Sequence, residues 1–544
     1  MSNKPNVLIF TSKVPSDETP DSLTVPIGVY SLQHVLKSDG IRCDVIDHQF
    51  NTESDYLENV ENGLYDIIGI SVTHWQMQED LSFLHVLKSI YRRNNKQCLF
   101  IAGGIQATIN YPQWLDGGFD LICLGYAEDT LLDVCHRIAH ASLPIHELFK
   151  DCEGVAFLNK DGVVVHNPTK SLSNHGFEQI MYSNVLRMNL PYPNYWKFIR
   201  ERASSILKAN NRSYIIENGR LLTTSKCMAK CGFCCSPNFL KNAQGSTAKP
   251  LCLSPQQVME LIVHGVSKYG AKSFSINDED FLIGNTYGIE RAIAICDLIV
   301  ASKQKNEISR DIRFSCQTRA HCFLSRNADG SRSVNHQLMQ ALSRAGFHNV
   351  SIGVETFSDR LLKSPSINKG VTSKNLHAVL HGLIENKLYT SINLILGIPE
   401  CTVGELLDTI RQALEYTDKP CHINLAIRML SFPGSAIFDL DKYPTFDTVF
   451  VNPDNGKKIL IKKYYKQHDP EMESILKQVA GATKDALEKF KSERNLGESM
   501  LLPRLFISLT ILLLIAKYAN DDELSSVISR KIKHFSAGIQ DKDN

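Results

Sequence analysis

Ser225-Lys-Cys-Met-Ala-Lys-Cys-Gly-Phe-Cys234 decides how this chain reads. Its cysteines, Cys227, Cys231 and Cys234, follow the spacing C-x3-C-x2-C. Thiolates hold iron–sulfur cubes, and four of them leave no iron free. Three leave one iron open to a small molecule. The alternative is a structural zinc knot, but zinc closes with four ligands, usually as two short pairs. Here the second pair is missing. Cys235 adjoins Cys234 and is poorly placed to join the same metal, and Cys252 is the candidate fourth ligand.

Downstream of the cysteines, strand-like and helix-like stretches alternate. Strands ending near Thr224, Asn277, Cys316, Glu355, Leu396 and Ile427 are separated by helical periodicity. Segments rich in polar residues sit at those strand ends: Ser275-Ile-Asn-Asp-Glu-Asp-Phe281, Phe314-Ser-Cys-Gln-Thr-Arg319, Ser351-Ile-Gly-Val-Glu-Thr356, Asn393-Leu-Ile-Leu-Gly-Ile-Pro399 and Ser431-Phe-Pro-Gly-Ser435. With the three cysteines, this order resembles the radical SAM superfamily. The resemblance implies a partial (β/α)6 barrel over residues 206–440, with its chemistry at the carboxyl ends of the strands. It implies a 4Fe-4S cluster on Cys227, Cys231 and Cys234, with S-adenosylmethionine (SAM) chelating the open iron. Asp278 and Glu279 would accept hydrogen bonds from the SAM ammonium or position substrate. Gln317 and Arg319 would face the cavity, and Glu355 would hydrogen-bond SAM. Each of these could instead belong to a buried structural pair. The Arg-Gly that commonly precedes the first cysteine is replaced by Ser225-Lys226, which implies an altered backbone turn beside the cluster.

Upstream, residues 1–145 also alternate. Strands are expected at Val7–Ser12, Cys43–Asp47, Tyr65–Val72, Cys98–Ala102 and Phe119–Leu124. Helices are expected at Val25–Ser38, Glu79–Arg92 and Glu128–Ala139. Short, mostly apolar strands between helices mean a doubly wound parallel sheet covered on both faces. Ligands of such α/β sheets bind at the carboxyl ends of the strands. That places a candidate site at Ser71, Thr73, Gly103 and Gly104; ordinary turn residues are the alternative. The order resembles the cobalamin-binding domain that precedes many radical SAM barrels, through Val25-Pro-Ile-Gly28, Asp47, Gly69-Ile-Ser-Val72, Ala102-Gly-Gly-Ile-Gln-Ala107 and Gly125-Tyr-Ala-Glu128. The D-x-H-x-x-G loop that supplies a cobalt-ligating histidine is absent: the loop reads Lys13-Val-Pro-Ser-Asp-Glu-Thr-Pro20, and Asp47-His48-Gln49 follows the wrong strand. His74 and Trp75 either face a cofactor or serve packing.

Residues 146–205 read as a connector. A hairpin turning at Asp161-Gly162 is expected over Gly154–Asn167, followed by the stiff Leu190-Pro-Tyr-Pro-Asn194. Residues 441–544 read as a helical region capping the barrel mouth, with helices at Glu471–Arg494, Leu501–Tyr518 and Asp521–Phe535. The apolar run Leu505–Ala516 is too short to span a bilayer.

The 59 basic and 58 acidic residues leave a net charge of +1, with no large charged block, so nothing points to nucleic acid or a membrane surface. Fifteen cysteines without a small-domain disulfide framework fit a reducing cytoplasm. The resemblance implies cluster reduction by an external one-electron donor, SAM cleavage and hydrogen abstraction from an unactivated carbon. With cobalamin bound, methyl transfer to that carbon is the leading expectation. The alternatives are a cobalamin-dependent rearrangement or cyclisation, radical chemistry without cobalamin, and a non-enzymatic metal protein. The substrate, whether small molecule, lipid, tetrapyrrole or peptide, and any catalytic side chain are not legible.

Overall fold

A computed structural model describes residues 4–12, 24–140, 144–170, 172–202, 216–244, 249–493 and 504–540. The Lys13–Pro20 loop and Leu501–Pro503 lie outside them.

The first sheet runs β2-β1-β3-β4-β5-β6-β7, with β1 Val7–Thr11, β2 Cys43–Ile46, β3 Ile67–Ser71, β4 Leu99–Gly103, β5 Leu121–Cys123, β6 Val155–Leu158 and β7 Val164–Asn167. The first five strands are parallel. They are nearly continuous apolar runs because both faces are covered. One face packs with Met77–Arg93 through Leu81, Leu84 and Leu87, and the other with Ile27–Ser38 and Glu128–His140 through Val29, Leu36 and Val134. The hairpin β6–β7 is part of this domain rather than of a connector, since β6 pairs antiparallel with β5.

The second sheet, in the order β15-β14-β13-β10-β9-β8, is parallel throughout and forms the six-stranded partial barrel. Its strands are β8 Asn218–Leu221, β9 Ser273–Ile276, β10 Arg313–Thr318, β13 Phe347–Glu355, β14 Thr390–Ile395 and β15 Cys421–Ala426. A small hairpin, β11 Leu324–Arg326 with β12 Arg332–Val334, interrupts it. The helices between strands start at strong local signals. Ser254 and Gln257 form a capping box with Pro255 in the first turn, and Thr402 and Glu405 form another. The strand faces turned from these helices carry small polar residues. Asn218 donates to Ser275 (2.8 Å), Ser275 bonds Ser315 (2.9 Å), and Asn424 donates to Asn393 (2.9 Å), which donates to Ser351 (2.9 Å).

The C-terminal region is mostly helical but opens with an unanticipated hairpin, β16 Thr445–Val451 and β17 Lys458–Tyr465. This hairpin straps the barrel to the first domain. Ile459 and Ile461 join that domain's core, Arg92 pairs with Asp454 (2.6 Å), and Asn452 donates to Asp116 O (2.7 Å). Helix Pro470–Glu493 begins beside the residues that follow β14 and β15, where Arg428 donates to Glu473 (2.6 Å) and Leu476 packs against Gly397. Arg504–Tyr518 packs along β15, with Ser508 donating to Ile423 O (2.6 Å), and so covers what would be an open sheet edge. No helix among the described residues is long and apolar enough to cross a membrane. Ile461 is 1% exposed. Ile461→Ala should lower unfolding free energy by about 2–5 kcal/mol in a denaturant titration.

Candidate functional site

The cysteine loop begins just after β8 ends. Asp278, two residues past the end of β9, is fully buried and accepts from Thr223 N–H and Oγ1–H and from Thr224 N–H (3.0 Å). Burial pushes its carboxyl up, offset by Arg291 and these donors. Arg291 itself donates to Leu253 O (2.8 Å) and Thr223 O (3.2 Å). Asp278 therefore fixes the start of the loop, its oxygens engaged by two backbone N–H groups and the Thr223 hydroxyl, and it does not line the cavity.

Cys227 and Cys231 are buried and Cys234 is half-buried. Among the described residues their sulfurs do not form a group lying wholly within 4.8 Å. Ligands of one tetrahedral zinc at about 2.3 Å stand roughly 3.8 Å apart. Among the described residues these thiols therefore form no preformed single-ion site. Cys252 does not complete a zinc set. It bridges to Thr224, and the charges that act on its thiol are Arg291 and Asp278. Burial pushes the Cys227 thiol up to about 12 and the Cys234 thiol up to about 11, so a metal must displace their protons to bind.

Glu355 ends β13 with φ +63°, at a register shift against β14, and its Oε1 lies 2.8 Å from Lys369 Nζ. Arg319 donates through Nε to Asp280 (2.8 Å), a carboxylate with no exposure that also accepts from Thr318 (2.7 Å). Arg319 is thus a member of a buried pair beneath Cys227, one of the charges acting on it. Gln317 is exposed on β10. Glu279 accepts from Ser236 (2.7 Å).

A cavity of about 670 Å³ opens between the strand ends of the first sheet and the cysteine loop. Ser71, Thr73, Gly103, Gly104 and Trp75 line it from one side; Lys226, Cys235, Ser236, Asn277 and Glu279 line it from the other. His74 does not, because its Nε2 is engaged by Lys462 O (2.8 Å). His48 is packed on Phe10 and Phe83, with Nδ1 2.6 Å from Thr11 O. Asp47 accepts from Tyr195 and Gln49 and also stays out of the cavity.

Two observations test whether this cavity fits a large polar cofactor. Arg220 Nε, Thr224 Oγ1, Asn277 Oδ1, Gln106 Oε1 and Glu128 Oε2 are buried without hydrogen-bond partners, and all five residues line it. Buried polar atoms are ordinarily satisfied, so a cluster of orphans marks where a ligand bonds. Gly28, in the first turn of helix Ile27–Ser38, and Gly103, at the end of β4, have nothing within 4 Å of where a Cβ would stand, which leaves both open to close approach. Sequence reasoning did not single out Arg220, Gln106 or Glu128 as ligand contacts. Gln106 and Glu128 were legible only as parts of the Ala102–Ala107 and Gly125–Glu128 segments.

Residues 18–134 match the profile of the B12 binding domain, and residues 221–413 that of the Radical SAM superfamily. The chain joins a B12-binding domain to a radical SAM domain. It is 22% identical over 393 residues to an uncharacterized methyltransferase, PH0819, of Pyrococcus horikoshii, covering 71% of this chain and 72% of that one. Its fold is that of the cobalamin-dependent SAM radical enzyme OxsB (TM-score 0.64, 16% identity, 98% of this chain and 76% of that chain). It is also that of the radical SAM methyltransferase TsrM from Kitasatospora setae (TM-score 0.61, 13% identity, 98% and 100%). The chain spans between 59% and 72% of the length of the curated relatives it matches.

The cysteine loop of the radical SAM domain tolerates no side chain at Gly232, since a Cβ there would run into the Pro365 and Ser366 carbonyls. Gly232→Ala should lower the iron and sulfide retained after anaerobic reconstitution by at least half, as read by elemental analysis.

Proposed function

We propose that this protein is a cobalamin-dependent radical SAM enzyme that transfers a methyl group to an unactivated carbon. The observation that carries this reading is the shared cavity, in which the cofactor-binding strand ends of one domain look directly onto the cysteine loop of the other. The names of PH0819 and TsrM as methyltransferases favour methyl transfer over rearrangement. When bound, a 4Fe-4S cluster, SAM and cobalamin would supply radical generation and a methyl group.

The chain's own residues bind, orient and exclude water. Cys227, Cys231 and Cys234 would hold the cluster, with Asp278 fixing where their loop leaves β8. Glu355 keeps one carboxylate oxygen on Lys369 and would use the other to receive the SAM ammonium. Ser71, Thr73, Gly103 and Gly104 would bed the cobalamin, with Gly104 (φ +103°) letting the backbone turn there. Ile109, Cys235 and Phe239 pack into a small apolar seam between the two domains, and Gln106 donates to Cys235 (3.6 Å). That seam excludes water from one flank of the cavity, as radical chemistry requires. An external one-electron donor and a reducing compartment complete the reading.

The deciding experiment supplies methyl-labelled SAM, dithionite and candidate substrates to the anaerobically reconstituted protein. Label in the product supports methyl transfer; turnover with no label in product excludes it. Changing the three cysteines to alanine should abolish SAM cleavage. Gly103→Leu has open space to fill, so it should fold with an unchanged Tm yet retain less than a tenth of the parent's cobalamin absorbance.

A further inference from the structure

The loop between β13 and the helix Ser373–Glu385 clasps the cysteine loop. Asn368 Nδ2 donates to Lys230 O (2.9 Å), and Gly232 N donates to Ile367 O (3.3 Å). From the middle of this clasp Lys369 turns inward. Its side chain is 9% exposed, and Nζ sits 2.8 Å from Glu355 Oε1 and 5.9 Å from the centre of the Phe233 ring. Phe233 stands between Cys231 and Cys234, and as thiolates both would favour the charged form of Lys369. The space is reserved: a Cβ at Gly353 would meet Lys369 Nζ at 2.7 Å and Glu355 Oε1 at 2.5 Å. Arg319, a second cation acted on by Cys227, is committed to Asp280, and Lys226, next to Cys227, lines the cavity.

Cluster potential is set by net charge, hydrogen bonds to sulfur and exposure. A buried charge acts strongly because the surroundings screen it weakly. We propose that Lys369 sets the reduction potential of the cluster: its ammonium, presented to Cys231 and Cys234, stabilises the extra negative charge that the cluster takes up with one electron from a low-potential donor. Glu355, at its far side, offsets part of that charge. The inference rests on the radical SAM reading above.

The test is an EPR-monitored redox titration of the full-length protein, anaerobically reconstituted to equal iron and sulfide, without SAM, using dithionite as the donor. Lys369→Met should shift the reduction equilibrium about tenfold toward the oxidised cluster, about 59 mV for one electron. Lys369→Arg should keep the parent potential. Glu355→Gln should move it the opposite way, toward easier reduction, a sign that a merely structural role would not produce. Unchanged potentials in Lys369→Met and Glu355→Gln overturn the proposal. Should Lys369→Met hold too little iron to titrate, Glu355→Gln decides, its rise supporting the role and its constancy overturning it. A parent protein that takes up no cluster would end the functional reading itself, whereas a cluster indifferent to both substitutions removes only the role of Lys369.

Discussion

Asp278 is the constraint on which the rest of the site depends. A carboxylate with no exposure must be compensated, and here two backbone N–H groups, one hydroxyl and the nearby Arg291 do so. Those donors belong to the residues that lead into the cysteine loop. Burying the charge and fixing the loop are therefore one event: the chain cannot leave β8 in another direction without stranding the carboxylate. The three cysteines inherit their positions from this anchor on one side and from the Pro365–Lys369 clasp on the other.

The same logic joins the domains. A cavity formed between two separately folded units would drift if only the linker held them. The hairpin β16–β17 prevents that by giving apolar side chains to the core of the B12 domain while remaining tied to the barrel, where Leu430 bridges to Tyr464 and Ser431 N donates to Lys463 O (3.1 Å). The turn Ser431–Ser435 adds a third point, with Phe432 meeting Trp75 edge-on at 5.4 Å and Gly434 O accepting from Asn238 of the cysteine loop. The two walls of the cavity are thus held together by contacts that lie outside its lining.

What was legible in the sequence follows from what local chemistry encodes. Parallel strands buried on both faces are apolar runs between helices, so the ends of β9, β13 and β14 fall within a residue or so of their expected places. Ser71, Thr73, Gly103 and Gly104 stand on the cavity because the strand-end rule is a property of the sheet itself. The acidic segment after β9 was located, but which of its carboxylates turns inward depends on Thr223, fifty-five positions away. Arg319 likewise finds Asp280 rather than open space. Pairings of that kind are tertiary and leave no local trace. The hairpin β16–β17 was different: Asn455-Gly456 between two alternating stretches is a turn signal, and the charged helix that follows drew the reading away from it.

Glu355 shows why strain gathers at this strand end. A glutamate at φ +63° costs about 1–3 kcal/mol relative to an ordinary strand conformation. A regular β13 would alternate its side chains, sending Val354 to one face and Glu355 to the other. The register shift between Gly353 and Glu355 breaks that alternation and re-aims the carboxylate, as bulges beside functional sites do. Gly353 leaves room for it, and Lys369 offsets the cost of burying its charge. Glycine, bulge, left-handed glutamate and buried lysine are thus mutually dependent: remove the lysine and the strained carboxylate has no reason to stay where a SAM ammonium would meet it.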